Sequence, residues 1–447
     1  MTDQLRIAFA QLNPTVGALS ANVAKARAAH GEAKDQSADL IVYTELFISG
    51  YPPEDLVLKP AFVEDCREAL EDLAKDTADG PAMLMTLPWA DKGGLYNAVV
   101  LVEDGKIGTA RFKHDLPNYG VFDEQRVFDA GPLPGPISFK GVRIGVPICE
   151  DIWTEDVCEC LAETGAELLL VPNGSPFEAD KQDVRLNLAV ARITETGLPL
   201  VYLNQVGGQD ELVFDGGSFG LNADRSLAFQ MAGFREQVLV TEWRRDEESW
   251  RCEPVAPHPA VDDHEAIWLA CVLGLKDYVE KNRFDDVVLG MSGGIDSAVV
   301  AALAVDALGA DRVHCVMLPY KYTSDDSLAD AEACAKALGA RYDSVPIENP
   351  VEGFNGALAE MFAGRDADVT EENIQSRARG TILMAISNKM GSMLLTTGNK
   401  SEMSVGYATL YGDMNGGFNP IKDIYKTQVY DLARFRNQSH PDGVLGP

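Results

Sequence analysis

The chain has 447 residues, of which 46% are hydrophobic and 8% aromatic, a composition typical of globular rather than disordered proteins. This length predicts two or three domains. The net charge of −31 argues against a nucleic-acid or anionic-membrane partner, because phosphate-rich surfaces bind basic proteins.

The cysteine pattern and the start of the chain indicate a reduced, soluble, cytoplasmic protein. None of the eight cysteines forms a Cys-x-x-Cys motif, and Cys158 and Cys160 have no histidine nearby, which makes a zinc site a poor interpretation. The first residues, Met-Thr-Asp-Gln, lack the basic and apolar segments of a secretory signal. No run of 18 apolar residues predicts a membrane span.

The first 240 residues alternate short apolar runs with helical patterns, which predicts an α/β layered domain. The predicted strands are at 6–11, 40–44, 82–87, 97–103, 142–148, 168–171 and 200–204. The predicted helices are at 22–35, 62–77, 155–164 and 183–196. We place this first domain at 1–242 and a charged, proline-containing linker at 243–262.

The second domain, at 263–447, shows a repeated strand–helix alternation. Helices are predicted at 263–281, 298–308, 325–338 and 371–390, and strands at 287–289, 313–318, 342–347 and 392–396. This pattern predicts a doubly wound parallel sheet whose ligand binds at the carboxyl ends of the strands.

Three chemically useful residues of the first domain follow predicted strands. Glu45, Lys113 and Cys149 could meet at one edge of a sheet as a base, a cation and a nucleophile. A carboxylate could take the thiol proton, and an ammonium could stabilise the thiolate and an oxyanion. Position alone leaves the alternative open, since strand-end acids and lysines are common and a buried cysteine is usually inert.

The strings around these residues resemble the nitrilase superfamily, and most of all the glutaminase domain of glutamine-dependent NAD⁺ synthetases. They are Glu45-Leu-Phe-Ile-Ser-Gly-Tyr-Pro-Pro, Lys113-His-Asp-Leu-Pro-Asn-Tyr-Gly and Cys149-Glu-Asp-Ile-Trp. The resemblance implies an α-β-β-α sandwich. It also implies that Glu45 is the general base, Lys113 the charge-stabilising cation and Cys149 the nucleophile.

The same resemblance implies the residues that hold glutamine. These are Tyr119 in Pro-Asn-Tyr-Gly, Ser175 in Asn-Gly-Ser-Pro-Phe, and Lys181. It also suggests Glu124 as a second carboxylate that orients Lys113. Without the resemblance, Tyr119 and Ser175 would be interpreted as ordinary turn residues.

A glycine-rich turn joins a predicted strand to a helix in the second domain. Its residues are Gly290, Met291, Ser292, Gly293, Gly294, Ile295, Asp296 and Ser297. Backbone amides at such a turn favour a phosphate, and the missing Gly-Lys-Ser/Thr ending excludes a Walker A loop. The turn resembles the pyrophosphatase loop of enzymes that cleave ATP between its α- and β-phosphates. The structural alternative is a turn that packs a helix on a sheet.

Magnesium is expected beside this loop. An ionised Asp296 would repel a polyphosphate unless Mg²⁺ lay between them, and a second acidic ligand is then expected. Glu402 is the candidate for that ligand, and Thr397 is the candidate for an ATP contact. By spacing alone, 396–399 is slightly more typical of a strand-ending turn.

Strings of the second domain resemble the NAD⁺ synthetase core. They are Asn373-Ile-Gln-Ser-Arg-Ala-Arg-Gly, Thr397-Gly-Asn-Lys-Ser-Glu-Met-Ser, Tyr411-Gly-Asp-Met and Pro420-Ile-Lys-Asp-Ile-Tyr-Lys-Thr-Gln-Val. The resemblance implies an adenine-nucleotide α-hydrolase-like fold and sites for ATP and deamido-NAD⁺. It gives Lys426 to the ATP phosphates. The deamido-NAD⁺ contacts are then Asn373, Glu402, Asp413 and either Arg377 or Arg379, with Arg377 preferred.

These features together predict the ATP-dependent amidation of deamido-NAD⁺ with ammonia from glutamine, through an adenylylated intermediate. The resemblance implies a homo-oligomer built on a dimer of synthetase domains. It also implies that the C-terminal end of the second domain is missing after Pro447, where the family continues. The alternatives are another pyrophosphatase-loop amidotransferase, a nitrilase-type amidase with a vestigial ATP domain, and a nucleotide sensor without catalysis.

Overall fold

The computed structural model describes residues 2–246, 249–259 and 261–447. The chain forms two compact units, Met1–Val261 and Asp262–Pro447. Within the described residues no helix is long and apolar enough to cross a bilayer.

In the part of the first unit that the structure describes, two mixed sheets, a short hairpin and four α-helices are present. Its strands are β1 (Gln4–Gln11), β2 (Leu40–Tyr43), β3 (Ala82–Asp91), β4 (Gly94–Glu103), β5 (Lys106–Phe112), β6 (Ile137–Phe139), β7 (Val142–Gly145), β8 (Leu168–Asn173), β9 (Leu200–Asn204), β10 (Val206–Gln209), β11 (Leu212–Asp215), β12 (Phe219–Leu221), β13 (Leu227–Gln230), β14 (Gln237–Arg245) and β15 (Trp250–Cys252). Its helices are α1 (Leu19–Asp35), α2 (Pro60–Ala74), α3 (Asp156–Glu163) and α4 (Lys181–Thr196).

The two large sheets share one plan, with three parallel strands at the centre and antiparallel strands outside. One sheet has the order β15-β14-β1-β2-β3-β4-β5, with β1, β2 and β3 parallel. The other has the order β13-β12-β9-β8-β7-β6, with β7, β8 and β9 parallel. Each parallel connection carries a helix, as the predicted βαβ alternation requires.

Alternating side chains on the strands produce the layers. On β1, Ile7 and Phe9 enter the core between the sheets, whereas Ala8 and Ala10 enter the core beneath α1 and α2. On β8 the same alternation divides the strand between the inter-sheet core and the core beneath α3 and α4. Because successive strand residues face opposite sides, four layers result. The expected α-β-β-α sandwich is confirmed.

The predicted linker at 243–262 is wrong over its first part. Strand β14 continues to Arg245, and β15 pairs with it in antiparallel register from Trp250 to Cys252. Trp243 and Trp250 are fully buried in the inter-sheet core, so apolar residues within the charged segment hold it in the sheet. Three residues of the predicted linker, Glu247, Glu248 and Ala260, lie outside the described residues.

The second unit is a doubly wound α/β fold. Its strands are β16 (Val287–Gly290), β17 (Val313–Met317), β18 (Arg341–Ser344) and β19 (Met393–Leu395). Its helices are α5 (Asp263–Lys281), α6 (Ile295–Leu308), α7 (Asp325–Leu338), α8 (Glu348–Leu358), α9 (Val369–Met390), α10 (Lys400–Val405) and α11 (Lys426–Gln438). All strand pairs are parallel, in the order β18-β17-β16-β19.

Both faces of this sheet are covered by helices, as its continuous apolar strands predict. Val287 and Leu289 pack with α5, α6 and α11, whereas Val288 packs toward α8 and α9. The strand order reverses between β16 and β19, so the segments after these two strands flank a topological switch point. Ligands of open α/β sheets bind at such a point.

A buried carboxylate joins three helices behind this sheet. Asp306 on α6 accepts hydrogen bonds from Trp268 Nε1 on α5 at 2.8 Å and from Arg436 Nε on α11 at 2.8 Å. Arg436 Nη2 binds the second carboxylate oxygen at 3.0 Å. Because Asp306 is 1% exposed, its charge depends on these partners rather than on water.

We expect Asp306→Ala to destabilise the second unit by about 3–5 kcal/mol, because it leaves a largely buried guanidinium and an indole N–H without their acceptor. The measurement is hydrogen exchange of peptides covering 263–308 across a denaturant series. Asp311→Ala, at an exposed position outside this cluster, is the control and should change the free energy of opening by less than about 0.5 kcal/mol. Equal effects of the two substitutions would contradict this role of Asp306.

Candidate active sites

The first unit brings Glu45, Lys113 and Cys149 together from both sheets. Glu45 lies just after β2 and Lys113 directly after β5, both on the seven-stranded sheet. Cys149 follows β7 of the six-stranded sheet, in a 3₁₀ turn that begins at this residue. The predicted strand at 142–148 therefore ends earlier, at Gly145. All three side chains are buried.

Lys113 is held between two carboxylates. Its Nζ donates to Glu45 Oε1 at 2.7 Å and to both oxygens of Glu124 at 2.9 Å. Burial alone would lower the pKa of Lys113, but Glu124 and Glu45 hold it well above its usual value. Burial also raises the pKa of Glu124 to about 7, against the opposing effect of Lys113. Lys113 is therefore a fixed cation, and Glu124 lies where the sequence suggested an orienting carboxylate.

The carboxylate of Glu45 is oriented by groups on both sheets. Asn97 Nδ2 on β4 donates to Oε1 at 2.8 Å, and the amide of Gly174, just after β8, donates to Oε2 at 2.9 Å. These bonds hold the side chain in one position, which suits a general base.

The Cys149 thiol is a weak acid in this environment. Burial raises the pKa of Cys149 well above its usual value, the Glu45 carboxylate raises it further, and Lys113 opposes the shift. Cys149 also has a left-handed backbone, with φ of +48°. Such a conformation costs a non-glycine residue about 1–3 kcal/mol and recurs at functional sites.

A cavity of about 630 Å³ lies beside this cluster, and Tyr119 and Glu150 are in its wall. The Tyr119 hydroxyl donates to the Glu150 carboxylate at 3.0 Å, although half of the Tyr119 side chain is exposed. Asp115 and Asp129 add negative charge to the same wall. A ligand with an ammonium group suits this lining.

The other two predicted glutamine contacts lie apart from the described wall of this cavity. Ser175 is buried, and its Oγ accepts from Arg185 Nε at 3.2 Å. Lys181 begins α4, pairs with Glu178 at 3.1 Å and lies 5.4 Å from the centre of the Trp153 ring. Both residues remain candidates for glutamine binding.

The glycine-rich loop of the second unit leads from β16 into α6, as predicted. Ser297 Oγ accepts from the Ser292 amide at 3.2 Å and donates to the Gly294 carbonyl at 2.9 Å. Gly293 has φ of +81°, and a Cβ atom there would lie 2.4 Å from the carbonyl oxygen of Ser327. Glycine is therefore required at this position, where the loop crosses the start of α7.

Asp296 binds residues of two segments that lie after strand β19 in the chain. Asn399 Nδ2 donates to its Oδ1 at 3.2 Å, and Lys426 at the start of α11 forms an ion pair with its Oδ2. Glu402 lies beside the same asparagine, since the Asn399 amide donates to Glu402 Oε2 at 3.1 Å. Asn399 therefore binds both carboxylates, and Lys426 pairs with one of them, Asp296.

The described residues contain no cluster of three or more metal-binding side chains. Mg²⁺ bound to a nucleotide does not need such a cluster, because one or two carboxylates suffice when phosphates and water complete its shell. The donor set of Asp296 and Glu402 fits this pattern.

A cavity of about 550 Å³ opens at the switch point, where the sheet topology locates a ligand. Six predicted site residues line it: Gly290, Met291, Ser292, Asn373, Thr397 and Asp413. Arg379 also lines the cavity, whereas Arg377 is exposed and donates to the Leu410 carbonyl at 3.1 Å. Of the two arginines, the structure places Arg379 in the cavity wall.

The loop that contains Thr409 and Asp413 forms one wall of this cavity and is hydrogen-bonded to α9. Thr409 Oγ1 donates to Asn373 Oδ1 at 3.0 Å, and the Asp413 amide donates to Ser376 Oγ at 3.1 Å. The Thr409 amide in turn donates to Asp413 Oδ1 at 2.7 Å. The predicted dinucleotide contacts Asn373 and Asp413 thus shape the wall itself.

The sequence interpretation missed several residues of both sites. Asn97 orients Glu45, Tyr51 donates to Glu124 at 2.8 Å, Asp151 binds amides beside Lys113, and Asn399 links Asp296 to Glu402. A polar residue at the start of an apolar strand was the available signal for Asn97. Asn399 and Glu402 have the spacing of a helix capping box, which was an available signal for Asn399. No spacing rule identifies the bond from Tyr51 to Glu124 or the bonds from 114–115 to Asp151, because these partners are distant in the chain.

Comparison with known proteins assigns both halves of the chain. Residues 6–251 match the carbon-nitrogen hydrolase family, and residues 267–445 match the NAD synthase family. A glutamine-dependent NAD(+) synthetase of Rhodobacter capsulatus is 54% identical over 447 residues, covering 100% of this chain and 81% of that protein. One from Xylella fastidiosa strain Temecula1 is 46% identical, covering 100% and 83%.

A solved structure agrees with this assignment over nearly the whole chain. The glutamine-dependent NAD⁺ synthetase from Acinetobacter baumannii, in complex with ADP, superimposes with a TM-score of 0.94 at 41% identity. The match covers 98% of this chain and 83% of that one. The chain therefore belongs to the family of glutamine-dependent NAD(+) synthetases.

Proposed function

We propose that this protein amidates deamido-NAD⁺ to NAD⁺, with glutamine as the nitrogen donor and ATP as the activating co-substrate. The observation that carries the proposal is the presence of two candidate sites in one chain. A buried Glu45–Lys113–Cys149 cluster occupies the first unit, and a cavity at a pyrophosphatase-type loop occupies the second.

The first unit would release ammonia from glutamine. Glu45 takes the proton of Cys149 as the sulfur attacks the side-chain amide carbon, and Lys113 stabilises the resulting negative charge. Ammonia leaves with a proton returned from Glu45, and a thioester remains. Water activated by Glu45 then cleaves the thioester to glutamate and restores the thiol.

The second unit would activate the nicotinate carboxylate of deamido-NAD⁺. The carboxylate oxygen attacks the α-phosphorus of ATP, pyrophosphate leaves, and ammonia then displaces AMP to give the amide. The 290–297 loop would bind phosphate oxygens through its amides and hydroxyls. Lys426 would balance phosphate charge, and Asn373, Asp413 and one arginine would hold the dinucleotide.

Asp296 and Glu402 would hold Mg²⁺. When bound, this ion neutralises phosphate charge and stabilises the departing pyrophosphate. Without it, Lys426 supplies the positive charge that compensates Asp296.

We further propose that the protein acts in the cytoplasm as a homo-oligomer built through its second unit. The eight cysteines are free thiols, which suits a reducing compartment. Large apolar side chains are exposed near the 550 Å³ cavity, and such a concentration marks an association surface. They are Val405, Tyr407, Leu410, Tyr411 and Met414.

Replacing the nucleophile should separate the two nitrogen sources. Cys149→Ala should lower glutamine-driven NAD⁺ formation by about 10⁴-fold or more, because it removes the nucleophile that forms the thioester. It should leave ammonium-driven formation unchanged, because ammonium bypasses the first unit. The measurement is NAD⁺, AMP and pyrophosphate release with Mg-ATP, deamido-NAD⁺ and either glutamine or ammonium. Cys158→Ala, which removes a buried thiol on α3, is the matched control. Equal loss with both sources would refute the two-site division.

Replacing the loop carboxylate should abolish synthesis from either source. We expect Asp296→Ala to lower NAD⁺ formation by about 100-fold or more with glutamine and with ammonium, because it removes charge stabilisation at the phosphates. Asp311→Ala, an exposed acid on the same unit, should leave both rates unchanged. Glutamine hydrolysis without any ATP-dependent product in the unmodified protein would instead favour an amidase with a vestigial nucleotide domain.

The Cys149 thiol should be largely protonated at neutral pH. Its pKa is raised above the usual value, so the thiolate fraction and the alkylation rate should keep rising with pH through about 9. The measurement is the pH dependence of iodoacetamide labelling, read by mass spectrometry on the peptide that contains Cys149. A plateau already reached below pH 8 would show a depressed pKa and contradict this assignment.

A further inference from the structure

Asp151 has no part in the proposed reaction, yet its carboxylate binds amides next to two of the three catalytic residues. We propose that Asp151 is a positioning residue that fixes the nucleophile Cys149 relative to Lys113 across the two sheets. This inference rests on the proposed glutamine hydrolysis by the first unit.

Asp151 closes the turn that carries Cys149. The Ile148 amide donates to Asp151 Oδ2 at 2.9 Å, and the Asp151 amide donates to the Ile148 carbonyl at 3.0 Å. These two bonds close a ring that contains Cys149. A residue with positive φ persists only where its surroundings hold it, and this ring supplies that restraint.

The second carboxylate oxygen reaches the opposite sheet. Asp151 Oδ1 accepts from the amides of His114 at 2.9 Å and Asp115 at 2.8 Å, the two residues that follow Lys113. Lys113 is itself fixed to β4, because its amide donates to the Asn97 carbonyl at 2.8 Å. One buried carboxylate therefore ties the nucleophile turn to the lysine segment.

Asp151 would act through its neighbours rather than on substrate. It is 1% exposed, and the described wall of the 630 Å³ cavity includes its partners His114 and Asp115 but not Asp151 itself. Its carboxylate accepts from the backbone amides of Ile148, His114 and Asp115. A change at Asp151 should therefore alter the alignment of thiol, base and cation and leave glutamine affinity nearly unchanged.

The test is Asp151→Asn, which keeps the shape but leaves one acceptor oxygen for three amide donors. The new NH₂ group must face an amide, so the ring around Cys149 or the link to the lysine segment opens. We expect kcat for glutamine hydrolysis to fall about 10- to 100-fold, the cost of a small misalignment of reacting groups. KM for glutamine should stay within about twofold. Rates are divided by the Cys149 sites titrated by alkylation, and ammonium-driven synthesis should be unchanged.

Asp39→Asn is the matched control, because Asp39 also joins the two sheets, away from the catalytic cluster. Its Oδ2 accepts from the Arg6 amide on β1 at 2.8 Å, and its Oδ1 pairs with Lys140 just after β6. If Asp151 only stabilised the sandwich, the two substitutions would have similar effects. We expect Asp39→Asn to retain the kcat of the unmodified enzyme.

Three results would overturn the proposal. They are an unchanged kcat in Asp151→Asn, an equal loss in Asp39→Asn, and a change confined to KM. If Asp151→Asn does not fold, Asp151→Glu is measured, since it keeps both acceptors and displaces them by one methylene. A lower kcat with unchanged KM supports positioning, and an unchanged kcat refutes it. Absence of glutamine hydrolysis in the unmodified protein would instead refute the proposed function.

Discussion

The buried ion cluster around Lys113 is the constraint on which the first unit depends. A lysine without solvent is tolerable only with carboxylates within hydrogen-bond distance, and Glu45 and Glu124 supply them at 2.7 and 2.9 Å. Those carboxylates come from separate segments, and the nucleophile comes from the other sheet. The sandwich therefore has to hold two sheets in one relative position. The bonds from Gly174 to Glu45 and from His114 to Asp151 cross between the sheets at the cluster itself.

Much of this architecture could be predicted from local pattern. Short apolar runs at 6–11 and 168–171 predicted the strands β1 and β8, which the structure buries on both faces. The apolar strands of the second unit indicated a sheet covered on both sides. The failures have physical causes. The segment 243–252 reads as a charged linker because its outward residues are charged, although Trp243 and Trp250 anchor it in the core. The alternation of buried and exposed residues in this segment extends over only two or three residues. It is therefore too short to predict a strand against the charged composition of the segment.

The candidate sites were predictable to different degrees. Glu45, Lys113 and Cys149 follow predicted strands, and the resemblance of the strings around them identified them as a group. The structure brings them together from two sheets rather than at one edge of a single sheet. The partners of Asn97, Asp151 and Asn399 across the fold could not be predicted, because Glu45, the amides of 114–115 and Asp296 come from distant segments that only the tertiary structure brings near. Helical spacing predicts that Arg377 and Arg379 lie on different faces of α9, but it does not predict which face lines the cavity. In the structure Arg379 lines the cavity.

Two ion pairs join α6 and α11 with the same separation along each helix. Asp296 pairs with Lys426 at the first turns, and Asp306 pairs with Arg436 ten residues later, so the helices run in the same direction. Loss or gain of one residue within either helix would rotate its far end by roughly 100° and shift it by about 1.5 Å. One of the two pairs would then be lost. A substitution at another position of these helices leaves both ion pairs in place, whereas a change in helix length does not. Insertions and deletions among relatives should therefore be absent from both segments.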